Sequence, residues 1–109
     1  LGQEVSRDPD RYTLWHSTQK DLPGLNFTGL TQVRIDRSLE EGRKTGDFNE
    51  RMTSYQHFQE VFAEEVPAIY LYQPVATYVL KNKIIPGTDF SDVFYLSDRF
   101  NNFSSWVIE

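Results

Sequence analysis

Asp8 and Asp10 stand either side of Pro9, and His16 and Ser17 follow at close range, so residues 8–17 hold the densest set of side chains capable of chemistry. In an extended segment a spacing of two points both carboxylates to one side, as a hydrolase or a divalent-cation site requires. No third oxygen cluster follows at loop spacing. Turn formation and helix capping account for both aspartates, because Pro fixes φ and an Asp side chain accepts from nearby backbone N–H groups. They are read as structural.

The imidazoles and the serine meet the same difficulty. His16 and His57 are the only two histidines, and a zinc site wants three or four ligands at close spacing with partners behind them. His57 sits beside Gln56 and Gln59, outside any H-E-x-x-H arrangement. Ser17 lies in no G-x-S-x-G elbow, and no Gly-rich phosphate loop is present. These absences leave no catalytic residue, no metal ligand set and no cofactor motif. Recognition of a small solute makes a different demand, for apolar and aromatic walls with a few fixed polar groups. Trp15 and Asn26 are the candidates for wall and hydrogen bond.

The elements that position these residues follow from the chain's punctuation. Asp8-Pro9-Asp10 reads as a turn, with Asp8 or Asp10 capping about two turns of helix over 11–19 on which Tyr12, Trp15 and His16 share a face. Residues 20–30, with Pro23, Gly24, Asn26 and Gly29, read as a loop. From Thr31 or Gln32 a helix carries Val33, Ile35, Leu39 and Gly42 inward and closes at Gly46. Gly42 costs that helix about 1 kcal/mol unless something packs closely against it. Asp47 opens a second helix, with Glu50 placed to complete a capping box. Its apolar face is Phe48, Met52, Tyr55, Phe58 and Phe62, and it ends at Glu64 and Glu65 ahead of Pro67. The expected packing partner of this face is the strand beginning near Pro67.

Strands are expected at 68–72 and 77–80, joined by a connection too long for a two-residue hairpin turn, and then at 93–96 and 106–108. Residues 1–5 read as the tail of a strand or a loop, and residues 81–92 as polar and turn-rich. The fold class is α/β, two consecutive helices followed by short strands.

Composition removes further classes. The net charge of −5 and pI near 5.0 argue against nucleic acid, which needs a clustered basic surface. No apolar run approaches the roughly 18 residues that span a bilayer. With no cysteine, disulfides and thiolate sites are excluded. Aromatic residues make up 15% of the chain, and most belong to the core.

Taken in order, Asp8 to Asp10, Ser17, Asn26, Asp36, Asp47 with Arg51, Pro67 to Leu71, and Tyr78 to Gly87 resemble the C-terminal end of bacterial extracellular solute-binding proteins of family 5, the peptide and nickel receptors of ABC importers. The resemblance implies that residues 1–109 are the C-terminal segment of a two-lobe, type II periplasmic-binding-protein-like receptor. Such a receptor is not an enzyme. It closes its lobes on a peptide or other small solute and delivers it to the permease subunits, outside the cytoplasm, often with a lipid anchor at its N-terminus. In peptide-binding members an acidic residue shortly before the Asp-Pro turn receives the ligand's amino terminus. The expected offset here falls on Val5, with Glu4 one residue away. The ligand-binding residues implied are therefore Glu4, Val5, Trp15 and Asn26. The alternatives are a self-contained α/β interaction module and, less favoured, a hydrolase using Asp8, Asp10 and His16.

Overall fold

The computed structural model describes residues 2–3, 6–75, 77–87 and 95–109. The chain divides into two units, one formed by 8–71 and the other by 1–7 with 72–109.

The 8–71 unit is built on an antiparallel helix pair. One turn of helix, α1, spans Tyr12–Trp15; α2 spans Val33–Lys44 and α3 spans Phe48–Glu65. Asp47 caps α3 as its position predicts, its carboxylate accepting from the N–H groups of Asn49 and Glu50 at 2.9 Å each. The return arm of the capping box runs through an intermediary. Glu50 accepts from the Thr45 hydroxyl at 2.6 Å, and that oxygen accepts the Asp47 N–H at 3.1 Å. Thr45, in extended conformation, closes α2; Gly46 takes no left-handed turn, so its expected role as the stop signal passes to Thr45.

The core is Trp15, Ile35, Leu39, Tyr55, Phe58, Val61 and Phe62, with Tyr12, Leu14, Leu30 and Ala68 packed at its edge. Three of the expected inward residues face out instead: Val33, Phe48 and Met52 are exposed. Each lies at an end of its helix. The first turn of α3 runs beside the tight connection, where α2 has already closed and offers no apolar partner. Gly42 is buried against the Tyr55 ring, and a methyl group there would lie 2.8 Å from Tyr55 Cζ. That contact, between a helix backbone and a ring, is the reason for glycine at this position. Arg34 reaches from the start of α2 to Glu64 and Glu65 at the end of α3, and Ser38 Oγ meets His57 Nδ1 at 2.7 Å across the pair. His57, which fits no metal motif in the sequence, serves as an interhelical contact.

α3 ends where Pro67 predicts, and Val66 adopts the left-handed conformation (φ 46°, ψ 50°) to turn the chain away. Beyond it the expected strand 68–72 is absent. Ile69, Tyr70, Leu71 and Tyr72 are exposed, and residues 68–72 make no backbone ladder among the described residues. α3 therefore packs on α2 and on Trp15, not on a strand. The 77–80 strand is likewise unformed. A strand needs a neighbour to satisfy its backbone, and neither run has one among the described residues.

In the other unit two short strands, β1 (Ile84–Ile85) and β2 (Val107–Ile108), pair antiparallel, with Ile84 opposite Ile108 and Ile85 opposite Val107. The Glu109 N–H extends the ladder to the Lys83 carbonyl at 2.8 Å. β2 matches the expected strand at 106–108, whereas β1 falls in a stretch read as turn-rich. The expected strand at 93–96 lies partly outside the described residues; Leu96 itself opens a 3-10 turn, Leu96–Phe100. Tyr78, Phe100, Phe103 and Trp106 cluster edge-on and tilted, with centroids 5.3 to 6.5 Å apart. The chain is thus mixed helix and small sheet, an α/β composition. None of its helices is long and apolar enough to cross a membrane among the described residues.

Candidate functional site

Residues 8–36 hold the groups picked out as chemical, and each is bound into the scaffold. The Asp8 carboxylate accepts the Asp10 N–H at 2.9 Å and meets Arg51 of α3 at 2.7 Å. Asp10 accepts the Tyr12 N–H at 2.9 Å, capping α1, and meets Arg43 of α2 at 2.7 Å. Arg11 spans the same turn, donating to the Asp8 and Asp10 carbonyls. The two aspartates are thus pulled to arginines on different helices, an arrangement suited to clamping a turn.

The Asp10 N–H holds the Asp8 carboxyl below its ordinary pKa, with the Arg51 and Arg11 charges acting in the same sense and partial burial opposing them. A depressed carboxylate contributes stability that is present above its unfolded pKa and is lost as pH falls through the folded value. Asp8→Asn keeps an acceptor for the turn and removes only the charge. It should lower stability at pH 7 by about 0.5 kcal/mol, a modest figure because the side chain is mostly exposed. The cost should shrink as pH falls below the ordinary carboxylate range and through the depressed pKa of Asp8, where its charge is lost in the folded state too. Urea melts of both chains across this range give the difference.

The expected two-turn helix over 11–19 is interrupted at His16. Its backbone turns extended (φ −72°, ψ 141°) and its ring accepts the Thr18 N–H, so a 3-10 turn, Ser17–Gln19, begins in place of more α-helix. Because Nδ1 is the acceptor, Nε2 carries the proton and donates to Glu40 at 3.2 Å. The ring stacks on Tyr12 with centroids 4.0 Å apart, and Arg43 covers the other ring of that stack at 4.0 Å. Tyr12 and His16 share a face as expected, while Trp15 turns inward and meets Phe62 edge-on at 4.6 Å. Among the described residues no group of three His, Cys, Asp or Glu side chains could hold a metal ion.

Trp15 is 8% exposed and Asn26 is 2% exposed. The Asn26 amide donates to the His16 and Leu30 carbonyls at 3.2 and 2.9 Å, and its oxygen accepts from Thr28 Oγ and the Leu30 N–H at 3.0 and 3.2 Å. Two donors and two lone pairs are the whole capacity of a carboxamide. Both side chains are therefore spent inside the unit, Trp15 as core and Asn26 as the pin of the loop 20–30. Glu4 and Val5 lie outside the described residues.

What the structure brings together is the scattered pattern itself. Asp8 meets Arg51, and the Ser17 N–H donates to the Asp36 carboxylate at 2.8 Å. Asn26 holds the carbonyl of His16, immediately before Ser17. Beside these contacts, Ser17, Thr18, Lys20, Thr31, Val33 and Asp36 line an open recess of about 380 Å³. Sequence reasoning gave no hint of the recess, because its walls come from the 3-10 turn and from the first turn of α2, and only the fold unites them.

No protein-family model matches the chain, and no solved structure matches it. The chain is similar to the oligopeptide-binding protein AppA of Bacillus subtilis (strain 168), with 27% identity over 74 residues. Those residues are 68% of this chain and 13% of AppA, so the chain spans a small part of the relative's length.

Proposed function

We propose that the chain is a segment of the solute-binding component of an ABC importer, of the family 5 type, in which a two-lobe type II receptor closes on a peptide or similar solute and hands it to the permease. The similarity to an oligopeptide-binding protein over 68% of the chain carries this reading. The fate of the reactive groups supports it. Asp8, Asp10 and His16, the set a hydrolase would use, are engaged by Arg51, Arg43 and Glu40 respectively. On this reading the protein works outside the cytoplasm, with a lipid or secretory anchor supplied elsewhere, and residues 1–109 form one segment of the receptor.

Within that receptor Glu4 and Val5 are proposed ligand contacts, while the clamped turn at 8–10, Trp15 and Asn26 brace the loop 16–30 from behind. Closure follows from tighter binding to the closed lobes than to the open ones. Calorimetric titration of tri- to pentapeptides tests the reading. Stoichiometric binding is expected for the parent protein and weak or no heat for these 109 residues, since the cleft is shared between lobes. Cleavage of the peptides, or tight binding by the 109 residues alone, would overturn it.

A further inference from the structure

The two histidines of the chain are held in opposite tautomers. His57 Nδ1 lies 2.7 Å from Ser38 Oγ, whose own proton goes to the Arg34 carbonyl at 2.9 Å. The ring nitrogen must then be the donor, which leaves the lone pair on Nε2. A proton taken up by the exposed His57 ring enters at Nε2 and leaves the interhelical contact intact. His16 is the reverse. Its Nδ1 accepts the Thr18 N–H at 3.2 Å, and its Nε2–H faces Glu40 at 3.2 Å and Asp36 at 3.9 Å. A proton taken up by His16 can enter only at Nδ1, the atom that caps the 3-10 turn Ser17–Gln19.

The two Thr18 groups at that cap respond differently. The hydroxyl lies 2.9 Å from His16 Nδ1. Once Nδ1 carries a proton, the hydroxyl oxygen accepts it and turns its own hydrogen toward Tyr12 Oη, 3.4 Å away. The Thr18 amide cannot turn, and it has no second acceptor among the described residues. The Ser17 N–H is affected as well, because Asp36 Oδ1, which accepts it at 2.8 Å, is one of the oxygens drawn toward the new charge.

The charge itself has partners. Glu40 and Asp36 of α2 face Nε2, and Tyr12 of α1 offers its ring face at 4.0 Å. Lys44, 3.6 Å from Glu40, and Arg43, which lies over the Tyr12 ring and pairs with Asp10, act in the opposite sense. The loop 20–30 meets His16 through the neutral Asn26 amide on its carbonyl. An imidazolium therefore finds carboxylates at Nε2, while the amide capped by Nδ1 loses its acceptor.

We infer that His16 is a proton-operated latch on the turn Ser17–Gln19. With the ring neutral, the Thr18 N–H is held and the turn is pinned to α2 through Asp36. With the ring protonated, the cap is released. The turn, which supplies Ser17 and Thr18 to the wall of the recess, then loosens while α2 and α3 stay folded. The recess is firm on the alkaline side of the His16 titration and slack on the acid side. The latch is independent of the transport reading, since it needs only a proton.

The test is a heteronuclear NMR titration of the full chain across the imidazole range. At the neutral end His16 should carry its proton on Nε2 and His57 on Nδ1, and on acidification they should titrate at Nδ1 and Nε2 respectively. The Thr18 amide proton should move upfield with the His16 midpoint. Its protection from exchange, corrected for the intrinsic effect of pH, should fall about fivefold to tenfold, the equivalent of one neutral hydrogen bond. Amides of α2 and α3 should keep theirs. His16→Asn, which retains a capping acceptor and cannot titrate, should leave Thr18 protected throughout. If that variant does not fold, Glu40→Gln decides, because losing one carboxylate at Nε2 should carry the His16 and Thr18 midpoints to lower pH together. The inference is overturned by a His16 ring already protonated on Nδ1 at the neutral end, or by one that does not titrate in the folded chain. It is equally overturned by a Thr18 amide that stays unchanged or follows another midpoint, by a Thr18 transition that persists in His16→Asn, or by loss of the helix amides at the same midpoint.

Discussion

Replacing Trp15 by Ala should cost the helical unit about 3 to 5 kcal/mol, the range for removing a large buried aromatic side chain. Trp15 closes the core formed by Ile35, Leu39, Tyr55, Phe58, Val61 and Phe62, and its edge-on contact with Phe62 adds a term of about 0.5 to 1.5 kcal/mol that a smaller apolar residue would not replace. A domain's whole stability is roughly 5 to 15 kcal/mol, so the variant should melt far earlier or fail to accumulate. Trp15→Phe should lose much less. Chemical denaturation followed by far-ultraviolet dichroism reads both variants without relying on the removed indole. A loss below about 1 kcal/mol, with weakened ligand binding in the parent protein, would instead put Trp15 on the wall of a cleft.

The second large effect is at Gly42, where two opposing terms can be weighed. Ala favours a helix interior over Gly by about 1 kcal/mol, but its methyl group would lie 2.8 Å from Tyr55 Cζ and 3.1 Å from both adjacent ring carbons. Overpacking a filled core costs about 1 to 3 kcal/mol, and the ring has little room to yield because Tyr55 is 2% exposed. Gly42→Ala should therefore destabilise by about 1 kcal/mol net. In a Tyr55→Ala background the obstruction is gone, and the same substitution should stabilise by about 1 kcal/mol. That change of sign is what a thermodynamic cycle should find; additive effects would mean the helices are not held together by this contact.

The helices were legible because their signals are local. Asp47 caps within its own turn, Pro67 limits α3 from two residues away, and the three-four spacing marks Tyr55, Phe58 and Phe62 as core. Gly42 was legible as a question, since a glycine inside a helix asks for a close neighbour, although the neighbour's identity was not. The losses came where a partner decides the outcome. Val33, Phe48 and Met52 fit the apolar period but sit at helix ends where nothing faces them. Residues 68–72 have strand composition but no ladder to join, and β1 was hidden in a turn-rich stretch because its partner, β2, lies more than twenty residues on.

The candidate site shows the same division. Asp8 and Asp10 were recognisable as turn and cap, yet the arginines that clamp them are separated from them by 43 and 33 residues. Trp15 and Asn26 have the chemistry of a ligand wall and an amide contact. The same chemistry serves a core and a loop pin, and only burial and a full hydrogen-bond complement distinguish the two uses. On the proposed reading, the apolar, exposed run Ile69 to Leu71 is a strand whose neighbours are supplied by the rest of the receptor.

Amide hydrogen exchange over residues 68–72, compared between this chain and the parent receptor, tests that claim most directly. In this chain these amides donate no backbone hydrogen bond among the described residues, and they should exchange at close to unprotected rates. In the parent they should be slowed by orders of magnitude, as expected for a paired strand in a cooperative unit. Equal, fast exchange in both proteins would contradict the account, because the segment would then have no sheet to complete.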